Sequence, residues 1–488
     1  MSEERLSYRF GPLERRGLLG PLRLGQVITI GGALLVGVEL LDHIGGGGGV
    51  GAAVLVLVAA LALATTPLAG RTLEEWLPVG CSFAVRSIRG GRRFRSPLPT
   101  AGRRGRVEPA LTLPKNLHGV ELLTLRHQGR AVGALAERHG RLLTPVLACQ
   151  ALSFALLDPE IQERRLAQWG TVMTTAASAP IRRLQWIERT TPAQGDELAR
   201  WLHSARDPDL PARGTPVVES YLELIGQSTQ VTRDHEILIA VQVDTARLRG
   251  QSDRLAEQVH EQVGQLVRGL EAAEIRVLGA LSTSQLARVL RTGFDPYARG
   301  ELSALDALSG EGHALAEHAA GPLAAIEAWD HYRCDGALHA THWISGWPRI
   351  DVSPMFMDAL LADSATVRTV AVTFEPVSAE RSARDAEAAV TRDRADSELR
   401  RRWGQSETAR QRQAQEAAAR REAELAAGHG EVRFSGFVTV SGRDEGELRR
   451  ACAEIHRHAA RARLELRRMY GQQAEAFSFT LPLARGLR

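Results

Sequence analysis

Two apolar runs near the start of the chain constrain its fold more than any other feature. They cover residues 24–41 and 50–68 and are separated by Asp42-His43-Ile44 and five glycines. Each run is close to the length of about 17–25 residues that an α-helix needs to cross the hydrocarbon core of a bilayer. Because glycine continues a helix poorly, the glycine run predicts a turn. The sequence therefore predicts a transmembrane helical hairpin within residues 1–75.

The arginines that flank this hairpin predict its orientation. Those before the first run are Arg5, Arg9, Arg15, Arg16 and Arg23, and those after the second are Arg71, Arg86, Arg89, Arg92, Arg93 and Arg95. The connecting loop has no lysine or arginine, so the positive-inside rule predicts both ends in the cytoplasm and the glycine turn outside. A cleaved signal peptide is the alternative, but a second full-length run follows at once.

Composition indicates where the rest of the chain resides. Residues 76–110 are basic and contain glycine and proline, which predicts a juxtamembrane linker attracted to anionic lipid headgroups; nucleic acid is the alternative partner of these arginines. The net charge of +4 over 488 residues is small. Four cysteines lie far apart (Cys81, Cys149, Cys334 and Cys452). They predict no disulfide framework and are consistent with a reducing cytoplasm.

Beyond residue 110 the sequence alternates short β patterns with helical patterns. Strands are predicted at 132–135, 142–147, 183–188, 237–243, 275–278, 338–344, 367–374, 432–440 and 463–468. Helices are predicted at 215–230, 248–273, 282–290, 355–361, 444–460 and 471–477, with a long charged helix at 378–427. This order predicts an α+β fold with ferredoxin-like αβ layers, divided into domains at 111–330 and 331–488.

The common catalytic motifs are absent from the sequence. A P-loop is impossible because the single lysine, Lys115, lies in Leu113-Pro114-Lys115-Asn116. The one group with zinc-ligand chemistry is His331, Cys334, His339 and His342. Residues three apart on a strand point to opposite faces, so His339 and His342 are not expected to converge on one ion. The sequence predicts no catalytic, cofactor or metal residues and a protein that is not an enzyme.

The C-terminal third resembles the region before the motor in the type IV secretion assembly ATPases, the CagE/TrbE/VirB group with its TraC-like relatives. The resemblance rests on a strand with a Trp-Pro turn at residues 343–348, a V-x-V strand and acidic helix start at 438–445, and a Gln-Gln…Phe…Leu-Pro element at 472–483. The N-terminal hairpin is similar to the small PrgI-like two-helix subunits of these systems. In overall layout the chain also resembles an actinobacterial, conjugation-associated membrane protein family whose start is similar to Tyr8-Arg9-Phe10-Gly11-Pro12.

The resemblance implies a membrane-anchored scaffold of a type IV secretion or conjugation-like machine. Its expected partners are the lipid bilayer, a separate P-loop ATPase, other membrane subunits and further copies of the chain, and its expected location is the inner membrane. The family's ATPase activity does not carry over, because the P-loop is missing. Alternatives are a type VII secretion ring component, a membrane-bound zinc enzyme and a membrane tether for DNA.

Overall fold

The structure, a computed structural model, describes most of the chain outside its N-terminus and several long connections. The described residues are 24–97, 111–150, 157–192, 233–248, 254–302, 317–361, 366–378, 380–384 and 430–487, with 216, 217, 219, 220, 223 and 388. The arginines before residue 24, most of the helix predicted at 215–230, and all but the first residues of the helix predicted at 378–427 lie outside them.

The two apolar runs form a helical hairpin. Helix α1 is Leu24–Ile44 and helix α2 is Gly46–Thr65, and both are long and apolar enough to cross a membrane. The reversal is tighter than predicted, because only Gly45 and Gly46 have positive φ (57° and 63°) and the remaining glycines begin α2. The lack of a side chain at Gly49 permits this, since a Cβ there would lie 3.1 Å from the carbonyl oxygen of Leu40.

The predicted juxtamembrane linker is structured over its first part. After a two-stranded turn made by β1 (Pro67–Leu68) and β2 (Arg71–Thr72), helix α3 occupies Leu73–Ile88. Strand β3 (Arg93–Arg95) then pairs with the main sheet. Residues 76–97 therefore form most of a helix and an edge strand, because apolar side chains at helical spacing pack against the body.

The body is built on one antiparallel sheet, which has thirteen strands among the described residues. After β3 its strands are β4 (Glu121–His127), β5 (Arg130–Glu137), β6 (Leu142–Gln150), β7 (Ile181–Pro192), β8 (Arg233–Asp244), β9 (Arg276–Ala280), β10 (Ala324–Glu327), β11 (Tyr332–Cys334), β12 (Ala337–Gly346), β13 (Val367–Val377), β14 (Glu431–Gly442) and β15 (Glu465–Arg468). The helices after α3 are α4 (Pro159–Ser178), α5 (Leu255–Ala272), α6 (Thr283–Phe294), α7 (Asp358–Leu361), α8 (Glu445–Arg461) and α9 (Gln473–Ser478).

Most predicted strands are confirmed, with longer bounds than the pattern gave. The hairpin turning at His139-Gly140 is confirmed by the antiparallel pairing of β5 with β6 and by positive φ at both residues. Strands β4, β10 and β11 and helix α4 were not predicted. Strands β10 and β11 are only four and three residues long, which is too short for a clear alternating pattern in the sequence.

The same arrangement of elements occurs twice in the sheet. In the first half, β6, α4, β7, β8, α5 and β9 give the strand order β9-β6-β8-β7. In the second half, β12, α7, β13, β14, α8 and β15 give the order β15-β12-β14-β13. The halves join through antiparallel pairing of β7 with β13, so one sheet runs across the domain boundary predicted at residues 330/331.

The two faces of the sheet are covered differently. Leu184 packs with α4 and α5, and Trp186 packs in the cluster that contains α8, so these helices cover one face. Ile187 points to the other face, which α6, α9 and the chain after α9 cover. Buried Gln185 fixes this last segment, since it donates to Phe479 O at 2.7 Å and accepts from Ala484 N at 2.8 Å. The C-terminal segment is thus part of the core.

Candidate functional site: the hairpin–body junction

Helix α3 connects the hairpin to the sheet through an aromatic cluster. Trp76, Val79 and Phe83 are spaced three and four residues apart and so lie on one face of the helix. The Trp329 ring centroid lies 5.8 Å from that of Trp76 and 5.0 Å from that of Phe83. Tyr470 adds a third ring, 6.1 Å from Trp76. The inward face of α3 is therefore held by residues that follow β10 and β15.

A buried ion pair lies beside the rings. Arg86 Nε lies 3.3 Å from Glu327 Oε2, and the Glu327 side chain is only 5% exposed. Arg86 also donates to Gly471 O at 2.6 Å, while Glu327 Oε1 accepts from Ala474 N at 3.1 Å. Burial raises the pKa of Glu327, although Arg86 and the Ala474 amide oppose that shift. The pair connects α3, β10 and the start of α9 at one point.

The Gly471-Gln472-Gln473 segment, which we call the GQQ segment, contacts both sides of the junction. Gln472 accepts from Arg71 Nη2 at 2.9 Å, next to the hairpin. Gln473 is fully buried and accepts from Thr341 N at 2.8 Å, in the middle of β12. Gly471 has φ +67°, and a Cβ there would lie 2.6 Å from the Trp329 ring. Adjacent glutamines therefore link the end of the hairpin to the centre of the sheet.

The hairpin contacts α3 at the end where α1 begins and α2 ends. Gln26 in α1 donates to Ala64 O in α2 at 2.8 Å, which joins the two helices at that end. Glu74 of α3 is buried there, and its carboxylate would be 3.4 Å from a Cβ at Gly25. Trp76 Nε1 donates to Leu68 O at 2.9 Å, which fixes the turn between α2 and α3.

The histidines and cysteine weighed as zinc ligands are dispersed. Each ring nitrogen of His339 has a partner at 2.8 Å, Ser441 Oγ and Phe294 O. His342 lies on the opposite face against His456, which confirms the prediction that the two would not converge. His331 pairs with Asp330, and Cys334 is buried. Among the residues that the structure describes, no group of three or more His, Cys, Asp or Glu side chains has metal-site geometry.

Other histidines in the described part of the chain do not form a metal site either. His318 lies in a short 3₁₀ turn, His313 is outside the described residues, and His458 is buried in α8. His235 pairs with buried Glu188 at 2.8 Å, but the cavity behind that part of the sheet, lined by Arg189 and His339, has a volume of about 10 Å³. Such a volume holds about one water molecule.

The junction was not predicted from the sequence, although one signal for it is present. Trp76, Val79 and Phe83 follow helical spacing, but arginines and glycines directly after them favoured a linker. The partner Trp329 gives no local signal at all. The Gln-Gln pair was noticed only through the resemblance, and its contacts needed the tertiary structure.

These observations define a protein with an apolar helical hairpin fixed to an α+β body. Comparison with protein-family models and with curated proteins finds no match for the chain. Its function must therefore be argued from the junction and the fold.

Proposed function

We propose that this chain is a non-enzymatic scaffold subunit of a type IV secretion or conjugation-like machine. In this proposal the hairpin anchors it in the inner membrane, both termini and the body are cytoplasmic, and the body docks a separate P-loop ATPase. The observation that carries the proposal is the junction. A hairpin fixed to the body by rings, a buried ion pair and the GQQ segment suits a protein that holds a partner at a defined position on a membrane.

Strand order supports the proposal in a second way. A strand-helix-strand-strand-helix-strand unit with its first and third strands at the centre is ferredoxin-like, and we infer this fold for both halves of the sheet. The resemblance to the pre-motor region of the secretion ATPases implies such layers. The absence of a P-loop from the sequence is consistent with an anchor whose motor is a separate chain.

The test is purification of the tagged chain from its native host in mild detergent, with mass spectrometry of the proteins recovered. We expect a P-loop ATPase and other multi-span subunits, in a complex larger than one copy. The Gly471→Ala variant is expected to keep the hairpin in the membrane but to loosen the body from it and lower recovery of the ATPase, whereas Gly129→Ala, its matched control, is expected to leave recovery unchanged. Recovery of a monomer without partners, or ATP hydrolysis by the isolated chain, would contradict the proposal. Recovery of type VII ring subunits would favour that alternative.

A further inference from the structure

The outward face of α3 is an apolar stripe. Leu77, Val85 and Ile88 are 55%, 45% and 86% exposed, and Cys81 and Ala84 are exposed between them. The spacing 77, 81, 84, 85 and 88 places all five on one side of a helix, opposite the aromatic residues of the junction. The stripe runs along almost the whole helix. The described residues leave this stripe open to an apolar partner.

The position of α3 indicates what that partner is. The helix begins eight residues after α2 ends at Thr65, and Glu74 in its first turn lies against Gly25 at the start of α1. The connection from α2 and the contact of Glu74 with α1 are therefore at the same end of the hairpin. If α1 and α2 span a bilayer, the apolar stripe starts at the bilayer surface, and the nearest apolar medium is the acyl-chain boundary.

Exposed arginines also lie on β3, which begins five residues after α3 ends, and on β11. In the register of the sheet Ile326 faces Arg93 on one side and Arg333 on the other, and Ala324 faces Arg95. Cross-strand partners point to the same side of a sheet, so these three arginines surround Ile326, which is 42% exposed. None of the three forms an ion pair with a described residue. Their charge is therefore available to an anionic partner.

We propose that α3 lies in the interfacial layer of the membrane through the stripe and that Arg93, Arg95 and Arg333 bind anionic phospholipid headgroups. The inference rests on the membrane insertion included in the proposed function. A bilayer fits better than nucleic acid because Arg93 and Arg95 follow the apolar stripe of α3 in the chain, and the rings of Trp76 and Phe83 pack within the junction instead of offering faces for base stacking.

The chain carries its own reporter for the test. Cys81 lies in the middle of the stripe and is exposed, whereas Cys149, Cys334 and Cys452 are buried. The full chain, labelled at Cys81 with an environment-sensitive fluorophore, is placed in nanodiscs of phosphatidylcholine with or without phosphatidylglycerol. We expect a blue-shifted emission and quenching by lipids brominated in the upper acyl chain, both stronger with phosphatidylglycerol. A label introduced by Arg130→Cys in a Cys81→Ser background is expected to show neither.

Charge reversal tests the arginines. In the Arg93→Glu/Arg95→Glu/Arg333→Glu variant we expect the extra quenching given by phosphatidylglycerol to disappear, because each arginine contributes roughly a five-fold preference for an anionic surface. The matched control reverses three exposed arginines at the opposite edge of the sheet, Arg126, Arg130 and Arg276, and is expected to leave quenching unchanged.

Two results would overturn the inference. A third label, at position 54 in α2, distinguishes these results from a failure of the proposed function. Quenching of a label introduced by Val54→Cys in α2, without quenching at Cys81, would show an inserted hairpin with α3 off the membrane. The charge reversal of Arg93, Arg95 and Arg333 could instead leave the quenching at Cys81 unchanged and abolish binding of a duplex DNA probe. That result would assign the three arginines to nucleic acid. No quenching at position 54 would contradict membrane insertion itself and with it the scaffold proposal.

Discussion

Glu327 shows at the residue scale how much the junction depends on one charge. Its side chain is nearly inaccessible to solvent, and an ionised carboxylate in such a place is stable only with a cation or donors beside it. Arg86 supplies the cation and reaches it from another part of the chain, 241 residues away in sequence. The raised pKa of Glu327 shows that burial still outweighs its partners.

Replacing Arg86 with alanine is therefore expected to lower the free energy of unfolding by about 2 kcal/mol, less than for a fully buried pair because Arg86 is partly exposed. The loss of stability caused by Arg86→Ala should become smaller as the pH falls, because a protonated Glu327 needs no cation beside it. Denaturant unfolding followed by tryptophan fluorescence measures both effects. Arg89→Ala, at an exposed position, is the control, and the Arg86→Ala/Glu327→Gln double variant should recover stability. A loss that is independent of pH and of Glu327 would contradict the assignment.

Burial shifts the pKa of His339 in the direction opposite to that of Glu327, so its effect on stability has the opposite sign. Burial lowers its pKa to about 4 from 6.5, and the neutral ring already donates from Nε2 to Phe294 O and accepts at Nδ1 from Ser441. The unfolded chain therefore binds a proton more readily than the folded chain between these pH values. Stability is expected to fall as the pH drops through that window.

The slope contributed by His339 is at most about 1.4 kcal/mol per pH unit. His342, whose pKa burial lowers to about 3, should add to it. Unfolding measured from pH 7.5 to 4.5 should show a shallower slope in His339→Gln than in the unaltered chain. Equal slopes in the two proteins would mean that this histidine does not titrate as its burial requires.

At the element scale, the two faces of α3 differ. One face carries Trp76, Val79 and Phe83 against the body, and the other carries the exposed stripe. The GQQ segment supports the inward face, since Gly471 allows the Trp329 ring to lie beside Val79. The sequence predicted neither face, because its arginines dominated the composition of residues 76–110.

Gly471→Ala should disturb this contact in two ways. Its φ of +67° is strained for alanine, and the added Cβ would lie 2.6 Å from Trp329. Gly129→Ala is the matched control, since Gly129 also has positive φ (+76°) but a Cβ there meets no atom within 4 Å. We expect a loss of about 1 kcal/mol for the control and at least about 2 kcal/mol more for Gly471→Ala, with faster proteolysis around α3. Equal losses of stability in Gly471→Ala and Gly129→Ala would show that the Trp329 ring moves away from the new Cβ at little cost.

At the scale of the whole molecule, the sheet extends from β3, the strand that follows α3, to β4 at the other edge. The main path has eleven strands, so its ten steps of about 4.8 Å give roughly 48 Å before twist is considered. The two halves repeat one strand order and meet at β7 and β13. The surface around β4 and β5 therefore lies far from the junction along the sheet.

The proposed orientation is tested by cysteine labelling in a Cys81→Ser background. A membrane-impermeant maleimide should label a Gly47→Cys variant in intact cells, because the glycine turn is proposed to lie outside. It should label an Arg130→Cys variant only after permeabilisation. Both positions are exposed, so access and not burial decides the result. The reverse pattern would invert the topology and place the body outside the cytoplasm.

The sequence by itself determined the features that depend on local pattern. Apolar length gave the hairpin, and alternation gave most strands of the α+β body, because side-chain period follows directly from backbone geometry. It also predicted that His339 and His342 would point apart, since that follows from strand geometry alone. The P-loop is absent whatever the fold.

Only the tertiary structure decided which of these elements meet. Arg71 and Gln472 are separated by 401 residues and Arg86 and Gly471 by 385, and no local pattern encodes such pairs. The strand order of the two halves, the joining of β7 to β13 and the placement of the C-terminal segment in the core have the same origin. Burial gives a side chain its energetic role, and burial depends on residues that are distant in sequence and adjacent only in the folded chain.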